Sequence, residues 1–237
     1  MAGDAEIRML DDPAGEVSDL LAQAAGRGEQ IALTGGSSPR VAYERAADAD
    51  VDWSQAGLWF GDERCVEPED GRSNYGMAKD ALLDLIGGAA PQVHRMQGEL
   101  GPHDGAEAYE RDLHDVFGAG MPELDLVLLG LGPDGHCASL FPHQAALDEQ
   151  DRLAVGVEKA GMEPQVPRIT LTLPVINAAS RVVFLVTGVE KADAVARAWE
   201  GDPEPGTPAS LVAPASGELL VLLDPPAASQ LLSLIHI

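Results

Sequence analysis

The sequence predicts an α/β fold, in which strands and helices alternate around a mostly parallel sheet that is covered on both faces. Short apolar, β-rich segments alternate with helical patterns along most of the 237 residues. Leu124–Leu129 is continuously apolar, which is typical of a strand buried on both faces. Hydrophobic residues make up 45% of the chain, and neither a repeat nor a low-complexity linker divides it. We therefore expect one domain over residues 1–237, built as a three-layer α/β sandwich.

The individual elements follow from local patterns. In chain order, the predicted strands are Ile31–Thr34, Leu58–Phe60, Val93–Met96, Leu124–Leu129, Ile169–Leu173, Val182–Val186 and Leu219–Leu223. The predicted helices are Val41–Ala47, Ser73–Ile86, Asp104–Phe117 and Val189–Trp199. Ser38 is the expected N-cap of the first helix, with Pro39 in its first position.

The charge of the chain excludes several classes of function. Its 15 Lys and Arg stand against 39 Asp and Glu, a net charge of -24, so we expect no binding to nucleic acid or to anionic membranes. No apolar run reaches the roughly 18–20 residues that span a bilayer. Met1–Asp12 carries four acidic residues and does not resemble a signal peptide. With only two cysteines, Cys65 and Cys137, the chain is expected to be cytoplasmic.

The basic residues are mostly arginines, since only three of the 15 are lysines. An acidic, Lys-poor surface suits high salt, where screening suppresses self-repulsion. We therefore hypothesise a salt-loving source. An acidic protein with Arg-rich codon usage is the alternative.

The last six residues, Leu232–Ile237, fit neither a helix cap nor a strand pattern. They look like a translated adapter sequence and are expected to be a non-native tail. The alternative is an ordinary frayed terminus.

Three segments rich in glycine and polar residues directly follow predicted strands. They are Gly35–Arg40, Gly61–Arg64 and Gly130–His136. In an open parallel sheet, ligands bind beyond the carboxyl ends of the strands. The sequence thus predicts that these three segments form one site.

Gly35–Arg40 has the composition of a phosphate-binding turn. Gly35 and Gly36 allow close approach of the backbone, and Ser37 follows at a helix start whose free N–H groups suit an anion. An ordinary strand-to-helix turn is the alternative reading. The segment is neither a Walker loop, since no Gly-Lys-Ser/Thr follows, nor a serine nucleophile elbow, since Pro39 replaces the second glycine.

His136 is the candidate general base, because a histidine titrates near neutral pH. It directly follows Gly135 at a strand end, and Asp134 is adjacent. A structural histidine is the alternative. Gly130–Gly135 also matches G-x-G-x-x-G, but Pro133 lies within it, and a dinucleotide site is not favoured.

Basic residues near the strand ends could hold an anionic substrate. Arg64 could stabilise developing negative charge beside Asp62, although a solvated turn is the alternative. Arg168 precedes a strand. Lys191 lies in a first helical turn, where the dipole disfavours a cation, so an anionic ligand explains it better. The His and Cys spacing predicts no metal site.

Together these segments resemble the 6-phosphogluconolactonase family over nearly the whole chain. The resemblance rests on Leu33–Pro39 (LTGGSSP), Trp59–Val66 (WFGDERCV), Ser73–Met77 (SNYGM), Leu129–Pro142 (LGLGPDGHCASLFP), Pro167–Leu173 (PRITLTL) and Gly188–Ala192 (GVEKA). Cys137 stands where the family usually has Thr. The related glucosamine-6-phosphate deaminases share the implied Rossmann-like fold. They carry a catalytic Glu after the shared Asp-Gly-His, where this chain has Ser139–Pro142. They also have Asp-Glu-Tyr where this chain has Asp62–Arg64.

The resemblance implies hydrolysis of a phosphorylated sugar lactone, 6-phosphoglucono-δ-lactone, in the oxidative pentose phosphate pathway, with no cofactor or metal. His136 would activate water, Arg64 would stabilise the oxyanion, and Asp62 would orient Arg64 or the water. The phosphate would be bound by Gly35, Gly36, Ser37, Arg168 and Lys191. A deaminase-type isomerase and a non-catalytic sugar-phosphate-binding module remain alternatives. We expect a monomer or a small homo-oligomer.

Overall fold

A computed structural model describes residues 5–232, so residues 233–237 of the expected tail lie outside the described residues. The chain forms ten strands in this range, arranged in two sheets. The strands are β1 (Glu6–Met9), β2 (Gln30–Leu33), β3 (Gly57–Phe60), β4 (Asp62–Arg64), β5 (Gln92–Val93), β6 (Leu126–Leu129), β7 (Ala154–Val157), β8 (Arg168–Leu171), β9 (Arg181–Val186) and β10 (Glu218–Leu223).

Six α-helices connect these strands within the described residues. They are α1 (Pro13–Gly26), α2 (Ser37–Ala47), α3 (Asn74–Ala78), α4 (Pro102–Phe117), α5 (Leu173–Asn177) and α6 (Ala192–Trp199). The helix of α3 continues as a π-helical turn over Lys79–Leu83, and a 3₁₀ turn over Val189–Lys191 leads into α6. Between residues 5 and 232, no helix combines the length and the apolarity needed to cross a membrane.

The larger sheet has seven strands in the order β1-β10-β9-β6-β2-β3-β5, and every pairing in it is parallel. All four residues of β3 and of β6 are buried, so both faces of the sheet are covered. This arrangement confirms the predicted fold class. It also brings the carboxyl ends of β2, β3 and β6 to one edge, where the three glycine-rich segments begin.

The smaller sheet is antiparallel and has no counterpart among the predictions. Its order is β4-β8-β7, with Asp62 opposite Thr170 and Arg64 opposite Arg168. The chain passes from β3 to β4 through the single residue Gly61. The segment that follows β3 is therefore a strand of the second sheet rather than a turn, and β8 joins this sheet instead of the parallel one.

Several predicted elements differ from the observed ones. β1, α1 and β7 have no predicted counterpart. Ser38 is not the N-cap of α2, because that position belongs to Gly36, whose φ of +118° is open to a residue without a Cβ. The Ser38 hydroxyl lies instead 2.6 Å from the hydroxyl of Thr187, across the sheet edge.

Two buried tyrosines fix the ends of the strands that lead into the site. The Tyr43 hydroxyl accepts a hydrogen bond from the Thr34 N–H at 2.9 Å and donates to the Thr34 carbonyl at 2.7 Å. The Tyr109 hydroxyl makes the same pair of bonds with Phe60, at 2.8 and 3.0 Å. The backbone N–H and C=O groups at these strand ends thus bond to buried hydroxyls instead of to a neighbouring strand. These bonds hold the ends of β2 and β3 in place.

Candidate active site

The structure brings seven of the eight predicted site residues to one cavity of about 220 Å³. The cavity lies at the carboxyl ends of the parallel strands, and these seven residues are Gly35, Gly36, Asp62, Arg64, His136, Arg168 and Lys191. The eighth, Ser37, is the first residue of α2 and directly follows Gly36. Residues of all three strand-end segments therefore line one cavity, and their roles stay predictions.

His136, which lines this cavity, forms a hydrogen-bonded pair with Asp134. The ring Nδ1 lies 2.6 Å from Asp134 Oδ1, and the His136 backbone N–H also donates to that oxygen at 3.2 Å. When Nδ1 carries the proton, Nε2 is left as an acceptor, which is the state that a general base requires. Burial alone would raise the pKa of Asp134, but the hydrogen bond and charge of His136 outweigh it and the pKa lies below its ordinary value.

Glycines determine the geometry of this pair. A Cβ on Gly132 would lie only 2.0 Å from His136 Nδ1 and 2.6 Å from Asp134 Oδ1. Gly135 has a φ of +92°, and a Cβ there would meet Thr207 at 2.8 Å. The glycines of the G-x-G-x-x-G pattern therefore make room for a histidine–carboxylate pair.

Asp62 is buried and contacts Arg168 rather than Arg64. Its carboxylate accepts hydrogen bonds from the Ser139 hydroxyl at 2.6 Å and the Asn74 amide at 3.0 Å, and Arg168 Nη1 lies 3.8 Å away. Since Arg64 pairs with Arg168 across the sheet, Arg168 is the diagonal neighbour of Asp62. Arg64 Nη1 donates instead to the Arg72 carbonyl at 2.8 Å, so Asp62 does not bond to Arg64 here, and the alternative that Asp62 orients the water stays a prediction.

Arg168 is a buried cation with structural partners. It is only 4% exposed, and it donates to the carbonyls of Pro164 at 3.0 Å and Val166 at 3.3 Å. Burial lowers the pKa of its guanidinium, while the Asp62 carboxylate opposes that shift, and the group stays charged. Arg168 thus holds the 162–166 segment, whose Met162 lines the cavity.

Arg64 and Lys191 are cations without a carboxylate partner. Across residues 5–232, the ion pairs involve neither of these two side chains. Lys191 lies at the start of α6 and lines the same cavity. Two unpaired cations next to the first N–H groups of α2 form a site that suits an anion.

Three further residues of the site were not predicted. Glu63 is buried and accepts hydrogen bonds from the Ser73 hydroxyl and from three backbone N–H groups, those of residues 64, 74 and 75. Burial raises the pKa of Glu63, and these hydrogen bonds oppose that shift. Asn74 and Ser139 both bond to Asp62. The one local signal was the Ser-Asn pair at the start of a predicted helix. Its partners, Glu63 and Asp62, belong to a different element, so the contact could not be read from the local pattern.

Comparisons with known proteins place the chain in a family. Residues 8–221 match the family of glucosamine-6-phosphate isomerases/6-phosphogluconolactonase. A 6-phosphogluconolactonase of Nostoc sp. is 41% identical over 206 residues, which cover 85% of this chain and 84% of that protein. The structure of 6-phosphogluconolactonase from Trypanosoma cruzi superposes with a TM-score of 0.84 at 29% identity, covering 98% of each chain.

A monomeric glucosamine-6-phosphate deaminase superposes with a TM-score of 0.79 at 19% identity, covering 95% of this chain and 99% of that one. At this identity the likeness shows a common fold. The match to the family model covers most of the chain, and the Nostoc relative is similar over 84% of its length. The chain therefore belongs to the glucosamine-6-phosphate isomerase/6-phosphogluconolactonase family.

Proposed function

We propose that this protein hydrolyses 6-phosphoglucono-δ-lactone to 6-phosphogluconate, a step of the oxidative pentose phosphate pathway. The observation that carries the proposal is the Asp134–His136 pair, which faces a cavity containing two unpaired cations and a glycine-rich helix start. Such a site offers a base for water and a binding surface for a phosphate. The relatives that carry the name 6-phosphogluconolactonase support the same reaction.

The chemistry assigns the proton transfers to His136. Its neutral Nε2 removes a proton from water while the water oxygen forms a bond to the lactone carbonyl carbon. Arg64 stabilises the negative charge on the carbonyl oxygen, together with backbone N–H groups near Gly135. The intermediate then collapses, the bond from the carbonyl carbon to the ring oxygen breaks, and His136 returns its proton to that oxygen.

Substrate binding is assigned to other residues at the cavity. Gly35, Gly36 and Ser37 would hold the phosphate through the N–H groups at the start of α2, and Lys191 would add a charge. Arg168 would contribute one face of its guanidinium while Asp62 fixes its position. None of these steps requires a metal or a cofactor.

The test follows hydrolysis of freshly prepared 6-phosphogluconolactone, with glucosamine 6-phosphate assayed in parallel for ammonia release. We expect turnover of the lactone alone, and a loss of about 10²–10⁴-fold in kcat for His136→Ala. His114→Ala is the matched control, since His114 lies at the far end of α4 and bonds only to a backbone carbonyl.

Three results would contradict the proposal or one of its assignments. Ammonia release from glucosamine 6-phosphate would assign the protein to the deaminase branch of the family. A folded protein that binds 6-phosphogluconate but leaves the lactone at its spontaneous rate would be a sugar-phosphate-binding module. Full kcat in His136→Ala would remove the assigned base.

A further inference from the structure

Asn74 connects two parts of the candidate site that come from different strand ends. Its amide Nδ2 donates to the Asp62 carbonyl at 2.9 Å and to Asp62 Oδ1 at 3.0 Å. The side chain is 2% exposed, so it lies behind the cavity wall and does not reach the substrate. Asn74 thus acts on the cavity through its neighbours.

The other end of the Asn74 amide lies against the glycine turn after β2. A Cβ on Gly35 would come within 1.9 Å of Asn74 Oδ1 and 2.6 Å of its Cγ. The absence of a side chain at residue 35 therefore allows the turn to approach the amide directly. Oδ1 is buried and has no hydrogen-bond partner among the described residues, so packing alone defines this contact.

Asn74 is held rigidly from its own backbone. Its N–H donates to Glu63 Oε1 at 2.7 Å, and the Tyr75 N–H donates to Glu63 Oε2 at 2.7 Å. Ser73 caps α3 by accepting from the Gly76 N–H, and its hydroxyl donates to Glu63. The start of α3 is therefore fixed to β4 by several bonds, and the Asn74 amide has a defined position.

We propose that Asn74 is a positioning residue of the lactonase reaction, an inference that rests on the proposed function. Its amide orients Asp62, which faces Arg168, and at the same time limits how closely the turn of Gly35 approaches. The distance between the phosphate-binding turn and the side of the cavity where the carbonyl reacts depends on this one side chain. Small errors in such a distance are costly, about 10²-fold in rate for 1 Å.

The chemistry of the amide explains why other residues would not serve. Alanine would leave Asp62 Oδ1 without this donor. Aspartate has the same size but would bring a second carboxylate within about 3.0 Å of Asp62, and two such groups cannot both ionise at little cost. A neutral donor of this length meets both requirements.

The first test measures kcat and KM of Asn74→Ala and Asn74→Asp with the lactone. We expect kcat/KM to fall about 10²-fold in Asn74→Ala, and the affinity for 6-phosphogluconate, measured by calorimetry, to fall as well. Asn74→Asp should recover relative to the wild type as the pH falls, because protonation of one carboxylate restores a donor to the other. A purely structural defect would not follow pH in this way.

The second test couples residues 35 and 74. Gly35→Ala should lower kcat/KM through the contact with the Asn74 amide, and the double variant Gly35→Ala/Asn74→Ala should be no worse than Asn74→Ala, because truncation removes the atoms in conflict. Losses that multiply independently would overturn the proposal. Thermal unfolding provides a second readout of the same contact: the double variant should unfold at a higher temperature than Gly35→Ala, and a double variant that is no more stable would contradict the coupling.

Asn177→Ala is the matched control. Asn177 ends α5 and likewise bonds to backbone, donating to the Leu211 carbonyl and accepting from the Ala213 N–H, but neither of these partners lines the cavity. It should change stability without changing kcat/KM. A wild-type protein that does not hydrolyse the lactone would refute the proposed function, whereas an active wild type with a fully active Asn74→Ala would refute only the role of Asn74.

Discussion

Gly132→Ala tests the Asp134–His136 pair without altering either member. The added Cβ would lie 2.0 Å from His136 Nδ1 and 2.2 Å from Cε1. The loop cannot easily retreat, because the Gly132 N–H donates to the His136 carbonyl at 2.8 Å and the Gly135 N–H donates to the Gly132 carbonyl at 2.9 Å. The imidazole ring must therefore move away from its position beside Asp134.

The size of the movement sets the expected loss. A separation of 2.0 Å falls short of the 3.4 Å at which ordinary van der Waals contact begins, so the ring must retreat by roughly 1.4 Å. Misplacing a reacting group by 1 Å costs about 10²-fold in rate. We therefore expect kcat to fall about 10²-fold or more, equivalent to roughly 2.7 kcal/mol in the activation free energy.

The assay is the initial rate of lactone hydrolysis, with thermal unfolding measured on the same samples. Gly120→Ala is the control, since a Cβ there meets nothing within 4 Å and the loop it belongs to lies outside the cavity. It should leave kcat unchanged. Wild-type kcat in a folded Gly132→Ala protein would mean that the His136 ring can move freely and that its observed position does not matter for the reaction.

Three further measurements follow from the charges of the molecule. Lys191→Ala should raise KM for the lactone much more than it lowers kcat, because an unpaired cation that binds phosphate in substrate and transition state alike contributes uniform binding; an unchanged KM would contradict that role. Burial against Trp59 lowers the pKa of His94, so His94 takes up a proton at higher pH in the unfolded chain than in the folded protein. The free energy of unfolding should therefore decrease as the pH falls below about 6.5, and His94→Phe should flatten this trend. The unfolding midpoint should rise between low and molar KCl, since screening relieves the repulsion of a chain with a net charge of -24; a flat response would remove the salt-adaptation hypothesis.

The parallel sheet was predictable because its signals are local. β2, β3, β6, β9 and β10 are short apolar runs, and each is preceded or followed by turn residues. The second sheet was not predictable in the same way. β4 is the three charged residues Asp62–Arg64, which have no apolar alternation, and its partner β8 lies more than 100 residues further along the chain. Its pairing is a tertiary property that propensity does not encode.

The contacts of the candidate site were likewise predictable only where the two partners are close in sequence. Asp134 and His136 are two residues apart, so their contact follows from the loop itself. The contact of Asp62 with Arg168 depends on the register of the antiparallel pairing, and reading along the chain suggested Arg64 instead. α1 shows a signal that was present but unused, since Asp12 caps the helix and Pro13 occupies its first position.

The distribution of positive charge supports an anionic ligand independently of any motif. The 15 basic residues all fall within the described range, and nine of them form surface ion pairs with carboxylates. With 39 acidic residues available, a basic side chain finds a partner easily. A tenth, Arg168, lies near the buried Asp62, and the other five form no ion pair among the described residues. Two of those five, Arg64 and Lys191, line the same small cavity. Leaving two cations unpaired in one cavity of an acidic protein favours a site that is completed by the negative charge of its substrate.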